Sequence, residues 1–163
     1  MAAVVVATTL TVGFRQYTRR KQQREEAVRV AQLHLEQGMQ LFRARSFVDA
    51  QEMFRQALRT NPDDWQAPYY VGRVQIELKQ FGMAVPYLEK ALTLKPADPR
   101  ILTALGVSCF KLGQLDMARG YFWAALEADP DNSEARGLME SMAELQWEAE
   151  TTGTPSAGFA PGH

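Results

Sequence analysis

The chain has 163 residues and a formal net charge of −1, with 18 Lys and Arg against 19 Asp and Glu. A single cysteine, Cys109, excludes an intrachain disulfide, and the two histidines, His34 and His163, are too few and too far apart for a metal site of ordinary ligand spacing. No paired carboxylates, activated nucleophile or Gly-rich phosphate loop stands out, so the sequence lends no support to catalysis and implies no cofactor and no small-molecule substrate.

Met1–Phe14 carries no charged side chain and is rich in Ala and Val. Arg15, Arg19, Arg20, Lys21 and Arg24 follow with no acid among them, so residues 1–24 hold +5 while the remaining 13 bases and 19 acids leave −6. A nucleic-acid reader places its positive charge on the folded body, and this chain does the reverse. As a helix, residues 1–14 span roughly 21 Å at ~1.5 Å per residue, short of the ~30 Å hydrocarbon core. Snorkelling of Arg15 and Arg19 narrows that gap. Three readings fit the segment: a short membrane anchor, an organellar presequence, or an element that packs inside a larger complex. The flanking charge favours the anchor. The basic run would then lie on the cytoplasmic side, next to anionic headgroups, with the folded body behind it. The presequence reading would instead place the protein in a mitochondrion or another organelle.

Residues 25–150 read as a helical domain of three units, 31–64, 65–98 and 99–132, closed by a helix at 133–150. Helices are predicted at 26–44 and 47–60, then 65–78 and 81–94, then 99–112 and 115–128. No breaker separates Gln22 from Gln32, so the first helix is expected to run on from the N-terminal segment. Asp64, Asp98 and Asn132 stand at N-cap positions, and Pro99 follows Asp98 at the first helical position. The last helix carries Leu138, Met139, Met142 and Leu145 on one face and Glu140, Glu144 and Glu148 elsewhere, the pattern of an end cap. The tail, 151–163, is poor in apolar residues apart from Phe159 and is predicted to be disordered.

The units repeat with a period of 34. Gly38, Gly72 and Gly106 keep it, as do Ala50, Ala84 and Ala118, and Ala57, Ala91 and Ala125. Phe54, Leu88 and Phe122 form a bulky column, and Pro62, Pro96 and Pro130 close each unit. The two Ala columns and the bulky column occupy one face of each second helix, small-large-small, suited to close packing. A period of this length marks a stacked helical array.

These columns resemble the tetratricopeptide repeat (TPR) family over residues 31–132, with a half-repeat beyond. The resemblance implies an all-α fold, a right-handed superhelical array of antiparallel helix pairs. Its usual work is binding protein segments in a concave groove lined by the first helix of each unit. Carried onto this sequence, the partner-binding groove would be lined by Leu35, Met39 and Arg43, then Tyr69, Tyr70 and Arg73, then Arg100, Val107 and Lys111. Phe42, Ile76 and Phe110 occupy lining columns too but are expected between helices. Tyr69 and Tyr70 point about 100° apart on a helix, so they cannot share one core, and exposed aromatic anchors are expected there. Members that grip the C-terminal tails of heat-shock chaperones use basic residues and Asn at positions matching Leu35, Met39, Tyr70, Arg100 and Ala104. Only Arg100 fits, which points to an apolar groove. The reading is a non-catalytic protein scaffold, anchored at a membrane, that assembles or stabilises a complex. Its rivals are a structural subunit of a membrane complex and a soluble organellar adaptor.

Overall fold

The computed structural model describes the backbone of residues 2–152, with the side chains of 15–144 and Trp147. Seven helices follow one another: α1 (Ala2–Arg43), α2 (Phe47–Thr60), α3 (Gln66–Glu77), α4 (Phe81–Leu94), α5 (Pro99–Lys111), α6 (Leu115–Ala128) and α7 (Ser133–Thr152). Among the described residues there is no strand, and the architecture is an all-α TPR array. The second helices α2, α4 and α6 fall at their expected bounds. Helix α1 begins at Ala2 and, as the absence of a breaker between Gln22 and Gln32 leads one to expect, runs on without interruption through residue 24 into the first repeat. Nothing in its Gln-, Arg-, Lys- and Glu-rich middle interrupts the backbone ladder. Helix α7 likewise runs two residues past the expected cap, while the tail beyond Thr152 lies outside the described residues.

The glycine column is a steric requirement. A Cβ on Gly38 would lie 2.5 Å from Phe54 Cε1 and one on Gly72 2.6 Å from Leu88 Cγ, and Gly106 meets the Phe122 ring in the same way. Each pair thus closes with the bulky residue of the second helix lodged against bare backbone of the first. The turns within pairs share one device. Ser46 N donates to the Leu41 carbonyl at 2.9 Å, Gln80 N to Gln75 at 2.8 Å and Gln114 N to Cys109 at 2.9 Å. Arg45, Lys79 and Gly113 supply the left-handed residue, with φ of 61°, 59° and 76°. Only Gly113 advertises that conformation in the sequence.

Three core clusters alternate along the array. The first gathers Leu35, Ala50, Phe54, Ala57, Ala67, Val71 and Val74, so it joins α1 and α2 to α3. The second joins α3 and α4 to α5, and the third joins α5 and α6 to α7 through Ala135 and Met142. The glycine column continues to residue 140, which is an exposed glutamate on α7. The glycine column is thus interrupted on α7.

Candidate functional site

A hollow of about 80 Å³ opens between α3, α5 and α7, lined by Arg73, Ile76, Glu77, Arg100, Ala104, Val107 and Glu134. Its floor is Ile76, Ala104 and Val107, and two arginines and two glutamates form the rim. Helix α7 is set beside α5 by Asn132, whose Nδ2 donates to Thr103 Oγ1 at 2.9 Å while its Oδ1 accepts from Ala135 N at 3.0 Å. That cap brings Glu134 to the rim.

Both rim arginines are held before any partner arrives. Arg73 Nη1 donates to Tyr69 Oη at 3.0 Å, and its guanidinium lies 5.9 Å from the Tyr69 ring and 6.0 Å from Phe42. Burial works against the Arg73 charge, but Tyr69, Glu134 and Glu77 outweigh it and its pKa rises. Arg100 grips Asp98 bidentately through one edge of its guanidinium, Nε to Oδ1 at 3.1 Å and Nη2 to Oδ2 at 2.8 Å. Asp98 also caps α5 by accepting from Arg100 N at 3.0 Å, and Lys95 Nζ reaches its Oδ2 at 2.9 Å. Burial pushes the Asp98 carboxyl up, yet the hydrogen bonds from Arg100 and Lys95 prevail and hold it at about 2. Trp65 receives the same two cations on its ring, Lys95 Nζ at 4.1 Å and Arg100 Cζ at 4.9 Å.

Of the predicted lining residues, Arg73, Arg100 and Val107 meet in this hollow. Leu35 does not line the groove: it is 0% exposed and belongs to the first core cluster. Met39 is half-buried against the same cluster, and Arg43 is exposed at the end of α1. Tyr69 is only 5% exposed and sits in the second cluster. Tyr70 stacks on Phe54 with ring centroids 4.9 Å apart and packs against both clusters. The two tyrosines do face different ways, but an array has a core on each side of α3, so neither is a free anchor. Lys111 is exposed, with Nζ 5.5 Å from the Phe110 ring, outside the hollow. Phe42, Ile76 and Phe110 pack partly against the cores, and Ile76 also floors the hollow. Glu134 was not among the predicted lining residues. It continues the column Gln32, Gln66, Arg100 by one more step of 34, the signal that would have found it.

Arg15, Arg19, Arg20, Lys21 and Arg24 are exposed along α1, where Lys21 lies 3.9 Å from Glu25. Among the described residues no helix is long and apolar enough to cross a membrane, and the side chains of residues 1–14, on which the anchor expectation falls, lie outside them. Among the described residues there is also no group of three or more His, Cys, Asp or Glu placed to hold a metal.

Two sequence profiles, each described as the tetratricopeptide repeat, match residues 35–99 and 76–142. The chain belongs to the tetratricopeptide repeat family. It is 34% identical over 111 residues to the protein CTR9 homolog of Arabidopsis thaliana, covering 64% of this chain and 10% of that protein. It is 30% identical over 103 residues to human DnaJ homolog subfamily C member 3, covering 63% of this chain and 20% of the relative. With the Hsp70/Hsp90 co-chaperone CNS1 of Saccharomyces cerevisiae it shares 25% over 115 residues, or 68% of this chain and 30% of CNS1. The chain therefore spans less than a third of each of these relatives. Among solved structures, the first TPR of Spaghetti (RPAP3) bound to the HSP90 peptide SRMEEVD matches with a TM-score of 0.71 at 20% identity, covering 74% of this chain and 95% of that one. The Arabidopsis OM64 TPR domain matches with 0.71 at 17%, covering 72% and 98%. This TPR array is a protein-interaction module.

Proposed function

We propose that this TPR protein is a non-catalytic scaffold, tethered at a membrane through residues 1–24, whose concave side holds an apolar segment of a partner protein and so assembles or stabilises a membrane-associated complex. The observation that carries the reading is the hollow between α3, α5 and α7, where the apolar Ile76, Ala104 and Val107 meet four charged side chains. The tether rests on the uncharged Met1–Phe14, the acid-free basic run after it, and the unbroken helix that joins both to the first repeat. With the positive charge on the cytoplasmic side, the repeats lie in the cytoplasm.

The partner differs from the acidic tail seen in the Spaghetti complex. At the matching positions Leu35 is buried, Met39 and Tyr70 are half-buried, Ala104 carries no charge, and Arg100 is already paired with Asp98 through Nε and Nη2. Affinity here comes from buried aliphatic area, so it is expected to change little with salt.

Crosslinking in intact membranes followed by purification compares the full chain with Val107→Asp, which puts a charge on the hollow floor, and with Glu89→Ala, an exposed change on α4. Loss of the crosslinked partner in the Val107 variant alone, with helicity retained, is expected. Equal capture by all three would move recognition to the outer face or to the stem of α1 and favour a structural subunit. A protein recovered wholly in the soluble fraction removes the tether, and a mature N-terminus near Arg20 replaces it with a presequence.

A further inference from the structure

Two residues weaken helices for no reason found inside the molecule. Pro86 stands in the body of α4, where it removes a backbone donor. Gly120 stands in α6 with nothing within 4 Å of the place its Cβ would take. Both occupy one repeat column, a step of 34 apart, and in the first unit that column holds Glu52, paired with Arg59 at 3.0 Å. The column points away from the core. On α6, at ~100° per residue, Gly120, Trp123 and Glu127 lie opposite the buried Ala118, Phe122 and Ala125. Trp123 is 67% exposed, and Met83 and Met117, which share a column, are 52% and 50% exposed. Helices α4 and α6 lie side by side, since Leu92 of one and Tyr121 of the other each pack against both the second and third core clusters. Units 2 and 3 thus present an outer face that is apolar and low in relief, where unit 1 presents Asp49, Glu52 and Arg55.

Charge decides what fits this face. Lys90 on α4 and Asp116 and Glu127 on α6 make no ion pair among the described residues. Glu89 leans to the other flank of α4, over its own α6, where burial, then Cys109 and Glu89, raise the Tyr121 pKa. Setting α6 of one copy of the chain on α6 of another would bring four acids together. Setting α4 of one copy on α6 of the other instead brings Lys90 beside an aromatic ring and a carboxylate. The exposed parts of Met83, Met117 and Trp123 amount to roughly 300–400 Å², against about 800 Å² per copy in a stable complex, so such a pairing is weak and depends on concentration.

We propose that the outer face of α4 and α6 is a self-association surface, on which a second copy of this chain docks about a twofold axis running along the helices, α4 of each copy on α6 of the other. Pro86 then meets the second copy's Gly120, where neither residue holds the backbones apart. Met117 of each copy fills the space nearest the axis, and Lys90 reaches the second copy's Trp123 ring and Glu127 carboxylate. An axis along the helices sends both α1 stems out on the same side and leaves both concave faces open. The pairing is therefore compatible with the tether and the groove but rests on neither.

The test uses full-length chains in mild detergent, one carrying Pro86→Cys and the other Gly120→Cys, with the parent as blank because its Cys109 is buried. After oxidation at high protein concentration, the mixture is expected to give about fivefold more disulfide-linked dimer than either variant alone, joined between positions 86 and 120. Lys90→Glu, placed in both chains, is expected to cut that yield severalfold. Adding Glu127→Lys to the same chains is expected to restore it, a recovery that damage to folding would not show. Trp123→Ala is expected to lower the yield with helicity retained. Equal yields from the mixture and from each variant alone overturn the proposal, as do dimers joined chiefly between two copies of position 120. A mixed yield no higher than the parent's also overturns it, and gives the face to some other occupant.

Discussion

Asp98 concentrates the electrostatics of the array in one side chain. Its carboxyl lies at about 2 instead of the ordinary 3.8, so the folded state holds the charged form better than the unfolded chain does. The stabilisation is complete above about pH 4–5 and is lost as pH falls through 4 toward 2. Both cationic partners are partly exposed, so the effect is discounted to about 1–2 kcal/mol. Urea unfolding at pH 6 and pH 3 is expected to show a smaller pH-dependent loss in Asp98→Asn than in the parent, because Asn keeps the helix cap but no ion pair. An identical loss would show that other groups carry the acid sensitivity. Gln75 is the opposite case, 1% exposed with neither amide atom hydrogen-bonded to protein. Its column holds Leu41 and Cys109, so the site tolerates apolar groups. Gln75→Leu is expected to raise stability by about 1–3 kcal/mol in the same assay, and a loss would mean that a bound water satisfies the amide.

At the scale of helices, the array separates two kinds of glycine that look alike in sequence. A Cβ on Gly106 runs into the Phe122 ring, whereas one on Gly120, on the outer side of α6, meets nothing within 4 Å. Gly106→Ala is expected to cost about 1–3 kcal/mol by overpacking, and Gly120→Ala to gain up to about 1 kcal/mol from helix propensity. Thermal melts that moved both variants the same way would contradict the crossing described for α5 and α6. The expectation for Tyr69 and Tyr70 failed at this same scale. A helix in a stacked array is buried on two sides, so two side chains about 100° apart both find a core. Neither periodicity nor composition distinguishes that situation from one aromatic buried and one free.

For the whole molecule, α1 is both the stem and the first wall of the array. The stretch from Phe14 to Val30, where the repeats begin, is about 24 Å of helix at ~1.5 Å per residue, more than two Debye lengths at physiological salt. A tethered domain would thus stand clear of headgroup charge, with its acidic loop residues Asp63, Asp129 and Asp131 on the side toward which the stem extends. Replacing Gln22 and Gln23 by Gly and Pro is expected to broaden spin-label distances between positions 20 and 131 while leaving the repeat core folded. Unchanged distances would show that the stem is not what sets the geometry. Deleting Met1–Phe14 is expected to release a folded protein into the soluble fraction, with carbonate washing of the parent as the control. A deleted protein that stays on the membrane transfers the attachment to the basic run or to the repeats.

The period of 34, the Gly, Ala and bulky columns and the cap residues determined the helices and their pairing. Each of these depends on local spacing or on contacts that recur in every unit, and three copies make the pattern legible. The stacked structure alone decided which lining positions remain open. It buried Leu35 and Tyr69, paired Arg100 with Asp98, and brought Glu134 across from α7. Those outcomes depend on how side chains of different units compete for the same space and the same charge, and that competition exists only once the units are packed together.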